Sequence, residues 1–372
     1  MSRLSHVGDR SAAGREPARA ADTRKANRTR RLERILSLGA REDGAVAMNP
    51  SLFVQAMLPH REVYLLDADG RPVEARTGST LADGSPETVR LLATHYSATN
   101  GEFTLTVRAG MTKGPSVAHP QISRGVPYGG LARLLLCFVI TEARKQGTPS
   151  IDLGRTLTAF CERVDITPSG GNNGRIRYVL DQLQRLATCV VTFEWETAGP
   201  GRRDLRGENV LVVDAYHFWH QASSTAQDIG GSNAIREPAE GGTITLADKF
   251  WSEVVTSCFP LDFRKAQFFR AHPTAYDLYL WLTYRLGSLQ RQGRPSLAVS
   301  YDDLHAQLGS HYRTDEHGAL TRAGKSEFGR SVRHALDTVR QAWPELDVAT
   351  PRGRLVVRAT GPDVEHRPPR HR

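Results

Sequence analysis

The sequence has little cysteine and no long apolar run. None of its four cysteines forms a CxxC pair, so we expect no disulfide framework and no zinc site, and a reducing cytoplasm fits best. The longest apolar stretch, residues 131–140, is interrupted by Arg133 and is about half as long as a bilayer-spanning helix. The N terminus carries arginines but lacks the apolar core of a secretory signal. We therefore expect no membrane association.

Motifs for catalysis and cofactor binding are also missing. Residues 318–326 resemble a phosphate-binding loop, but five residues separate the glycines where that motif has four. His217 and His220 could form a metal pair or the histidine pair of a nicking enzyme, yet no third ligand accompanies them. We interpret them as core or surface histidines. No catalytic triad, carboxylate pair or dinucleotide loop is evident, so we expect no enzyme activity, no catalytic residue, no metal and no cofactor.

The positive charge is concentrated at the two ends of the chain. The formal net charge is +9, of which residues 1–41 carry +7 and residues 350–372 carry +4, leaving −2 for residues 42–349. A nucleic-acid-binding surface in the middle of the chain would therefore depend on where individual arginines lie and not on an overall positive field.

Two stretches, residues 127–213 and 273–358, follow one plan. Each opens with a leucine-rich amphipathic helix introduced by proline, and a short strand follows at the same distance of 24 residues, from 127 to 151 and from 273 to 297. Next come a short helix, a polar loop containing glycine, a longer arginine-bearing helix and a β-hairpin. This order predicts a winged helix, a helix-turn-helix variant whose second helix enters the major groove of DNA.

The predicted fold is α+β, with two tandem winged-helix domains behind a basic N-terminal tail that we expect to be disordered. A short helix is expected in that tail around residues 28–38, where Leu32, Ile35 and Leu36 share a face. The predicted divisions are the tail at 1–47, a leader segment at 48–125 that packs on the first domain, winged helix 1 at 126–220, a flexible linker at 221–242, winged helix 2 at 243–362 and a basic C-terminal tail at 363–372.

The long helix predicted at residues 175–187 has one apolar and one polar side. Ile176, Val179 and Leu183 fall on the apolar side, and Asp181 and Gln182 on the polar side. Arginine can bind guanine, asparagine can bind adenine, and a helix N terminus suits a phosphate, although such a face is also typical of a solvated helix. The DNA contacts predicted in this unit are Asn172, Asn173, Arg175, Arg177, Tyr178 and Arg185.

The long helix predicted at residues 325–343 has more outward cations. Its apolar side includes Phe328, Val332 and Leu336. We expect Arg330, Arg333 and Arg340 to form the main reading surface, because their spacing places them along one face. The DNA contacts predicted in this unit are Arg322, Lys325, Arg330, Arg333, His334 and Arg340, with Arg354 of the hairpin, where Arg352 and Arg358 could also follow the DNA backbone.

Several motifs resemble those of plasmid-encoded RepA-type replication initiators, a family with tandem winged helices. The segments that carry the resemblance are VQA at 54–56, LPH at 58–60, FTLT at 103–106, GVPYGGLARLLLC at 125–137, TEA at 141–143, DLGRTL at 152–157, PSGG at 168–171, GRI at 174–176, PLD at 260–262 and YDLYLWLTYR at 276–285. They recur in order over roughly residues 50–360. The departures are the basic tail at 1–47, the insertion-like segment at 221–242 and the polar loop at 309–324.

The resemblance implies a cytoplasmic initiator that binds repeats (iterons) in double-stranded DNA at a plasmid origin and promotes its opening. It also implies recruitment of host replication initiation or helicase-loading proteins, and a homodimer as one form of the protein. Two alternatives remain open, the first with the same domains and the second with the histidine pair. One is a winged-helix transcriptional repressor, including an autorepressor of its own operon, and the other is a nicking enzyme that would need His217.

Overall fold

The computed structural model is an α+β structure. It describes residues 15–365, without 82–83, 118, 170–173, 200–201, 220–240, 310–311 and 316–318. No helix in the described part of the chain has the length and apolar character needed to cross a membrane. The elements that precede the first repeated unit are α1 (Arg15–Ser37), β1 (Val46–Pro50), α2 (Leu52–Gln55), β2 (Glu74–Thr80), β3 (Pro86–Arg90), β4 (His95–Asn100), β5 (Phe103–Arg108), β6 (Met111–Ser116) and β7 (His119–Ser123).

The two repeated units follow, joined by a short stretch of mixed structure. The first unit contains α3 (Gly129–Gln146), β8 (Ser150–Gly154), α4 (Leu157–Arg163), α5 (Arg175–Thr188), β9 (Val190–Gly199), β10 (Arg202–Leu211) and β11 (Val213–His217). The connection contains β12 (Gly242–Leu246), α6 (Asp248–Thr256), β13 (Cys258–Asp262) and α7 (Phe263–Phe269). The second unit contains α8 (Pro273–Gln292), β14 (Ser296–Ser300), α9 (Tyr301–Gln307), α10 (Arg322–Ala342), β15 (Val348–Ala349) and β16 (Arg354–Arg358).

The equal spacing of the two units has a structural origin in their first helices. α3 ends at Gly147 and α8 at Gly293, both in the left-handed conformation with φ of 67° and 63°. Glycine adopts this conformation without strain and commonly ends a helix. Each glycine lies 20 residues after Pro127 or Pro273, and β8 and β14 begin three residues later. α3 begins two residues after Pro127 and α8 begins at Pro273 itself, so the helices have 18 and 20 residues. The shared interval comes from the glycine cap, which lies at the same distance from each proline and from the strand that follows.

The two units differ in how their strands pair. In the second unit β14 pairs with β16 of the unit's own hairpin, in the order β14-β16-β15. In the first unit the predicted hairpin is present as β9 and β10, but it joins the leader strands in a sheet of order β10-β9-β5-β4. The short strand β8 pairs instead with β12, which also pairs with β11. The hairpin of the first unit is thus bonded to the leader.

The leader also contacts the connection and the second unit. β1 pairs in antiparallel fashion with β13, with Val46 opposite Asp262. The backbone N–H of Met57 donates to the carbonyl of Gln307 at 3.1 Å, and that of His60 to Gly309 at 2.8 Å. The prediction that this segment packs on the first unit therefore describes only part of its contacts.

The N-terminal tail is not disordered throughout, contrary to the prediction for residues 1–47. α1 begins at Arg15 and contacts α7 and α10, and Ile35 is buried in the common core. Arg264 of α7 donates hydrogen bonds to the carbonyls of Arg34 and Leu38 at 3.1 and 2.9 Å. An amphipathic stretch that binds a neighbouring helix is ordered by that contact. Residues 1–14 lie outside the described residues.

The predicted C-terminal tail likewise begins within packed structure. The Asp363 carboxylate forms an ion pair with Lys265 and accepts a hydrogen bond from Tyr279 Oη at 2.7 Å. Val364 is buried. The tail boundary predicted at residue 363 is therefore too early. The basic composition of the tail did not indicate that Asp363 pairs with Lys265 and Tyr279. The predicted linker at 221–242 falls almost entirely on residues 220–240, outside the described part, and β12 begins at its last residue, Gly242.

Candidate nucleic-acid interface

α10 presents the larger exposed cationic face of the two long helices. Thr321 caps its N terminus by accepting a hydrogen bond from the Gly324 N–H at 3.1 Å. The predicted apolar side is buried, including Phe328 and Val332, which have no solvent exposure. The residues of this helix that were predicted to contact DNA are all exposed, and they are Arg322, Lys325, Arg330, Arg333, His334 and Arg340.

Three arginines of this face have no ion-pair partner among the residues that the structure describes, and they are Arg322, Arg330 and Arg333. Two other cations of the helix are engaged, since Lys325 forms an exposed ion pair with Asp302 at 2.8 Å and Arg340 donates to the Val348 carbonyl. A guanidinium without an acidic partner is available to an anion, and its planar fork suits phosphate or a guanine edge.

The hairpin of the second unit adds further exposed arginines. Arg352 and Arg354 are exposed beside the turn between β15 and β16. Arg358, at the end of β16, pairs with Asp347 at 3.0 Å. Two arginines of this hairpin are therefore available to a partner, while the third is partly neutralised.

α5 exposes cations only at its first turn. Arg175, Arg177 and Tyr178 are exposed, whereas Asn172 and Asn173 lie outside the described residues. The first two backbone N–H groups of the helix already have partners. The backbone N–H of Arg175 donates to Ser169 Oγ at 3.1 Å, and that of Ile176 donates to the Ser169 carbonyl at 3.5 Å. A phosphate at this helix end would therefore be bound mainly by side chains.

Arg185 does not lie on an exposed face, contrary to the prediction. It is 5% exposed, and its Nη2 lies 2.6 Å from a Glu62 carboxylate oxygen and its Nε 2.8 Å from Asp181. Its guanidinium also lies over the Tyr128 ring. Burial alone would lower the pKa of Arg185, but Asp181 and Glu62 raise it above its ordinary value. Arg185 is a structural residue that attaches the leader to α5.

Gln182 was also expected on the polar side of α5, and it too is buried. Its side-chain oxygen accepts a hydrogen bond from the Tyr128 N–H at 3.0 Å. A Cβ at Gly125 would lie 2.5 Å from Arg185 Nη1, and Gly125 has a φ of +83°, so only glycine suits this approach. Residues 125–128 therefore cover the C-terminal half of α5, which sequence periodicity alone did not indicate.

A buried ionic cluster joins the leader and both units. Arg133 of α3 makes two contacts with the carboxylate of Asp277 of α8, one of them at 2.7 Å. His60 Nε2 lies 2.6 Å from Asp277 Oδ2, and the guanidinium also donates to the carbonyls of Leu58 and Gly129 at 2.5 and 2.9 Å. The side chain of Asp277 is fully buried. This cluster fixes the first helices of the two units relative to each other.

The charges of the cluster shift its pKa values. Burial alone would raise the pKa of Asp277, but Arg133 and His60 hold it below its ordinary value. Burial lowers the pKa of His60, and the neighbouring Asp277 opposes this without reversing it. In the sequence, Arg133 was evident only as an interruption of an apolar run. A charge inside a buried helix requires a partner, and that requirement was the available signal for the cluster.

The histidine pair considered for metal binding or nicking is not assembled in the described residues. His217 ends β11, and its Nδ1 lies 3.1 Å from the Gly241 carbonyl. His220 lies outside the described residues. Within the described ranges, no group of three or more His, Cys, Asp or Glu residues could hold a metal ion.

Comparison with known proteins identifies the central part of the chain. Residues 126–303 match the family model described as "Plasmid encoded RepA protein", which confirms the resemblance seen in the sequence motifs. The match includes α3 to α8 and ends before α10. No curated protein sequence matches the chain.

Two solved structures are similar to the chain at low identity. One is described as "Crystal structure of SeMet derivatives of domain2 and domain 3 of RctB", with 12% identity, a TM-score of 0.39 and coverage of 73% of this chain and 92% of that one. The other is described as "Crystal structure of the RctB domains 2-3, RctB-155-483", with 12% identity, a TM-score of 0.32 and coverage of 79% and 92%.

Proposed function

We propose that this chain, whose residues 126–303 match the plasmid-encoded RepA family, initiates replication by binding double-stranded DNA repeats at an origin. In this proposal the two repeated units are winged helices, and α10 is the main reading helix. Binding promotes local opening of the origin and recruits host replication initiation or helicase-loading proteins.

The exposed face of α10 is the observation that carries the proposal. Arg322, Arg330 and Arg333 lie on a helix of 21 residues whose opposite side is buried, and they have no ion-pair partner among the described residues. A helix of this kind fits the major groove, where arginine discriminates guanine through two hydrogen bonds. Arg352 and Arg354 follow the helix on a hairpin, where they would contact the DNA backbone.

The order of elements supports the assignment of winged helices. In the second unit, α8, β14, α9, α10 and the β15–β16 hairpin follow one another, which is the order of a helix-turn-helix with a wing. The first unit has the corresponding helices and hairpin. Its hairpin is engaged with the leader, so we assign it a supporting role at the DNA and assign sequence reading to the second unit.

Plasmid maintenance is the direct test. A DNA circle that carries this gene and its flanking sequence, with no other origin, is introduced into a suitable host. We expect the wild-type gene to maintain the circle and the double variant Arg330→Ala, Arg333→Ala to lose it. Arg76→Ala, an exposed arginine on β2, is the matched control and should maintain the circle.

Two other results would replace the proposal. If the circle is never maintained but the protein represses the promoter of its own gene, the chain is a transcriptional repressor with the same reading helix. If purified protein cleaves supercoiled origin DNA with Mg²⁺ or Mn²⁺, and His217→Ala abolishes cleavage, it is a nicking enzyme. Light scattering of the full chain, free and bound to origin DNA, determines whether a monomer or a homodimer binds.

A further inference from the structure

Three arginines from different elements lie beside residues 165–167, two of them on Asp165 and the third on Thr167. Arg31 of α1 has its Nη2 2.6 Å from the Asp165 carboxylate. Arg270, which follows α7, donates to the Asp165 carbonyl at 2.6 Å and lies 3.9 Å from its carboxylate. The guanidinium of Arg175, the first residue of α5, donates to the carbonyl of Thr167, two residues after Asp165, at 3.3 Å. We call Arg31, Arg175 and Arg270 the arginine cluster.

The arginine cluster has more positive charge than its aspartate can balance. Burial and the like charges of Arg31 and Arg175 lower the pKa of Arg270 to about 10, although Asp165 opposes this. The cluster is accessible, since the side chains of Arg270 and Asp165 are 21% and 43% exposed. Like charges held this close raise the free energy of the protein, and a bound anion would relieve that repulsion.

The cluster lies on a surface that runs from α5 to α10 along α1. Arg28, one helical turn before Arg31, donates to Gln341 of α10 at 2.8 Å. The Arg28 guanidinium also lies over the Phe268 ring of α7, 5.1 Å from its centroid, and the charges of Arg28 and His334 add to burial in lowering the pKa of His272. His334 is on the exposed face of α10. α1 therefore brings its arginines between the first turn of α5 and the outer face of α10.

We propose that the arginine cluster binds a phosphate group of the DNA backbone, at a point between the two long helices. This proposal rests on the proposed function, because it takes duplex DNA as the source of the phosphate. Guanidinium groups bind phosphate oxygens through paired hydrogen bonds. Free phosphate offers the same chemistry, so the experiment must separate the two sources.

The first measurement is the salt dependence of binding to a labelled random-sequence duplex, by fluorescence anisotropy with the full chain. Arg175→Gln and Arg270→Gln each remove one cation, and each should lower the slope of log Kd against log salt by about 0.9 if that cation neutralises a phosphate. Arg175→Gln is the more conservative change, because the Arg175 side chain is exposed, whereas Arg270 is half-buried and donates to the Asp165 carbonyl at 2.6 Å.

The second measurement uses Asp165→Asn, which should strengthen binding to the same duplex. Asp165 has a φ of 56°, a conformation that asparagine tolerates well, so the fold is kept while the carboxylate charge is removed. Removing one charge about 5 Å from a phosphate in water predicts roughly fourfold tighter binding. Glu74→Gln changes the net charge equally at an exposed site on β2 and should bind as wild type does. A purely structural role for Asp165 predicts a lower melting temperature and no gain in affinity.

The third measurement compares melting temperatures in inorganic phosphate and in chloride at equal ionic strength. Altered salt slopes with no stabilisation by phosphate identify the DNA backbone as the ligand. Stabilisation by phosphate that Arg175→Gln abolishes, with unchanged slopes, overturns the DNA assignment and makes free phosphate the ligand. Unchanged slopes and no phosphate effect overturn the site altogether while the proposed function stands. If wild type binds no duplex at any salt concentration, the proposed function fails, and the phosphate measurement still decides whether the cluster binds an anion.

Discussion

α5 and α10 occupy corresponding places in the two units and both carry arginines, but their surroundings differ. The leader covers the C-terminal half of α5, where Glu62 draws Arg185 inward. The outer face of α10 keeps Arg330 and Arg333 exposed. A helix-face arginine thus becomes structural when a carboxylate on a neighbouring segment reaches it, and it stays available to a ligand when none does. Substitutions in the covered and in the exposed region test this contrast.

The largest expected effect is at the junction that orients both units. Asp277→Asn leaves Arg133 buried without a counter-charge, and breaking a buried ion pair by removing one partner costs about 3–5 kcal/mol of unfolding free energy. Urea unfolding of the full chain measures this. Asp347→Asn is the control, because Asp347 and Arg358 are 46% and 61% exposed and such pairs contribute about 0–1 kcal/mol. Equal losses in the two variants would show that the buried cluster does not hold the units together.

Arg185→Ala should lower the stability of the protein and leave DNA binding unchanged, and Arg333→Ala should do the reverse. Arg185→Ala removes the partner of Glu62 and Asp181 and should lower the unfolding free energy by about 1–3 kcal/mol, with an unchanged DNA footprint. Arg333→Ala should leave stability nearly unchanged and weaken binding to specific sites by about 1–3 kcal/mol, with relaxed preference at one base pair.

Denaturant unfolding and quantitative footprinting on the same two variants separate these roles. Loss of specific binding in an Arg185→Ala protein that remains folded would show that α5 reads DNA in spite of its covering. An unchanged affinity and footprint for Arg333→Ala would refute the assignment of α10 as the main reader.

The hairpin of the second unit should contribute a smaller, sequence-independent effect. Arg354→Ala should lower the salt slope of DNA binding by about 0.9, because the variant neutralises one phosphate fewer, and it should weaken all sequences alike. Anisotropy at several salt concentrations measures the slope. Arg206→Ala, on β10 of the first unit's hairpin, is the comparison, and an equal effect there would give both hairpins the same role.

The smallest expected effect is a pH dependence of stability at His60. Its pKa is lowered in the folded state, so the unfolded chain binds a proton more readily. The stability that neutral His60 contributes is therefore present above pH 6.5, the ordinary pKa of histidine. It is lost as the pH falls through the lower pKa that His60 has in the folded protein. Urea midpoints at about pH 7.5 and about pH 5.5 should fall less for His60→Gln than for wild type. Identical pH dependence in the two proteins would contradict this direction.

The sequence predicted the elements that follow from local patterns. The buried side of α10, the hairpin at β9 and β10 and the spacing of the two units all arise from periodicity, proline and glycine within short windows. Arg185 and Gln182 were placed on an exposed face wrongly, and α1 extends further towards the N terminus than the short helix predicted around residues 28–38, because these features depend on distant segments. Glu62 lies 123 residues from Arg185 along the chain, and no local pattern links them. Asn172 and Asn173 remain predictions.

The pairing of β1 with β13 constrains how the protein can be made. Val46 can pair with Asp262 only after Asp262 has been synthesised, and a ribosome adding roughly 5–20 residues per second needs on the order of 10–40 seconds for the intervening chain. Until then the edge of β1 is open to other strands, which favours aggregation. A fragment that stops after the first unit would keep this edge open permanently. The N-terminal strand is therefore completed only by the connection between the two units.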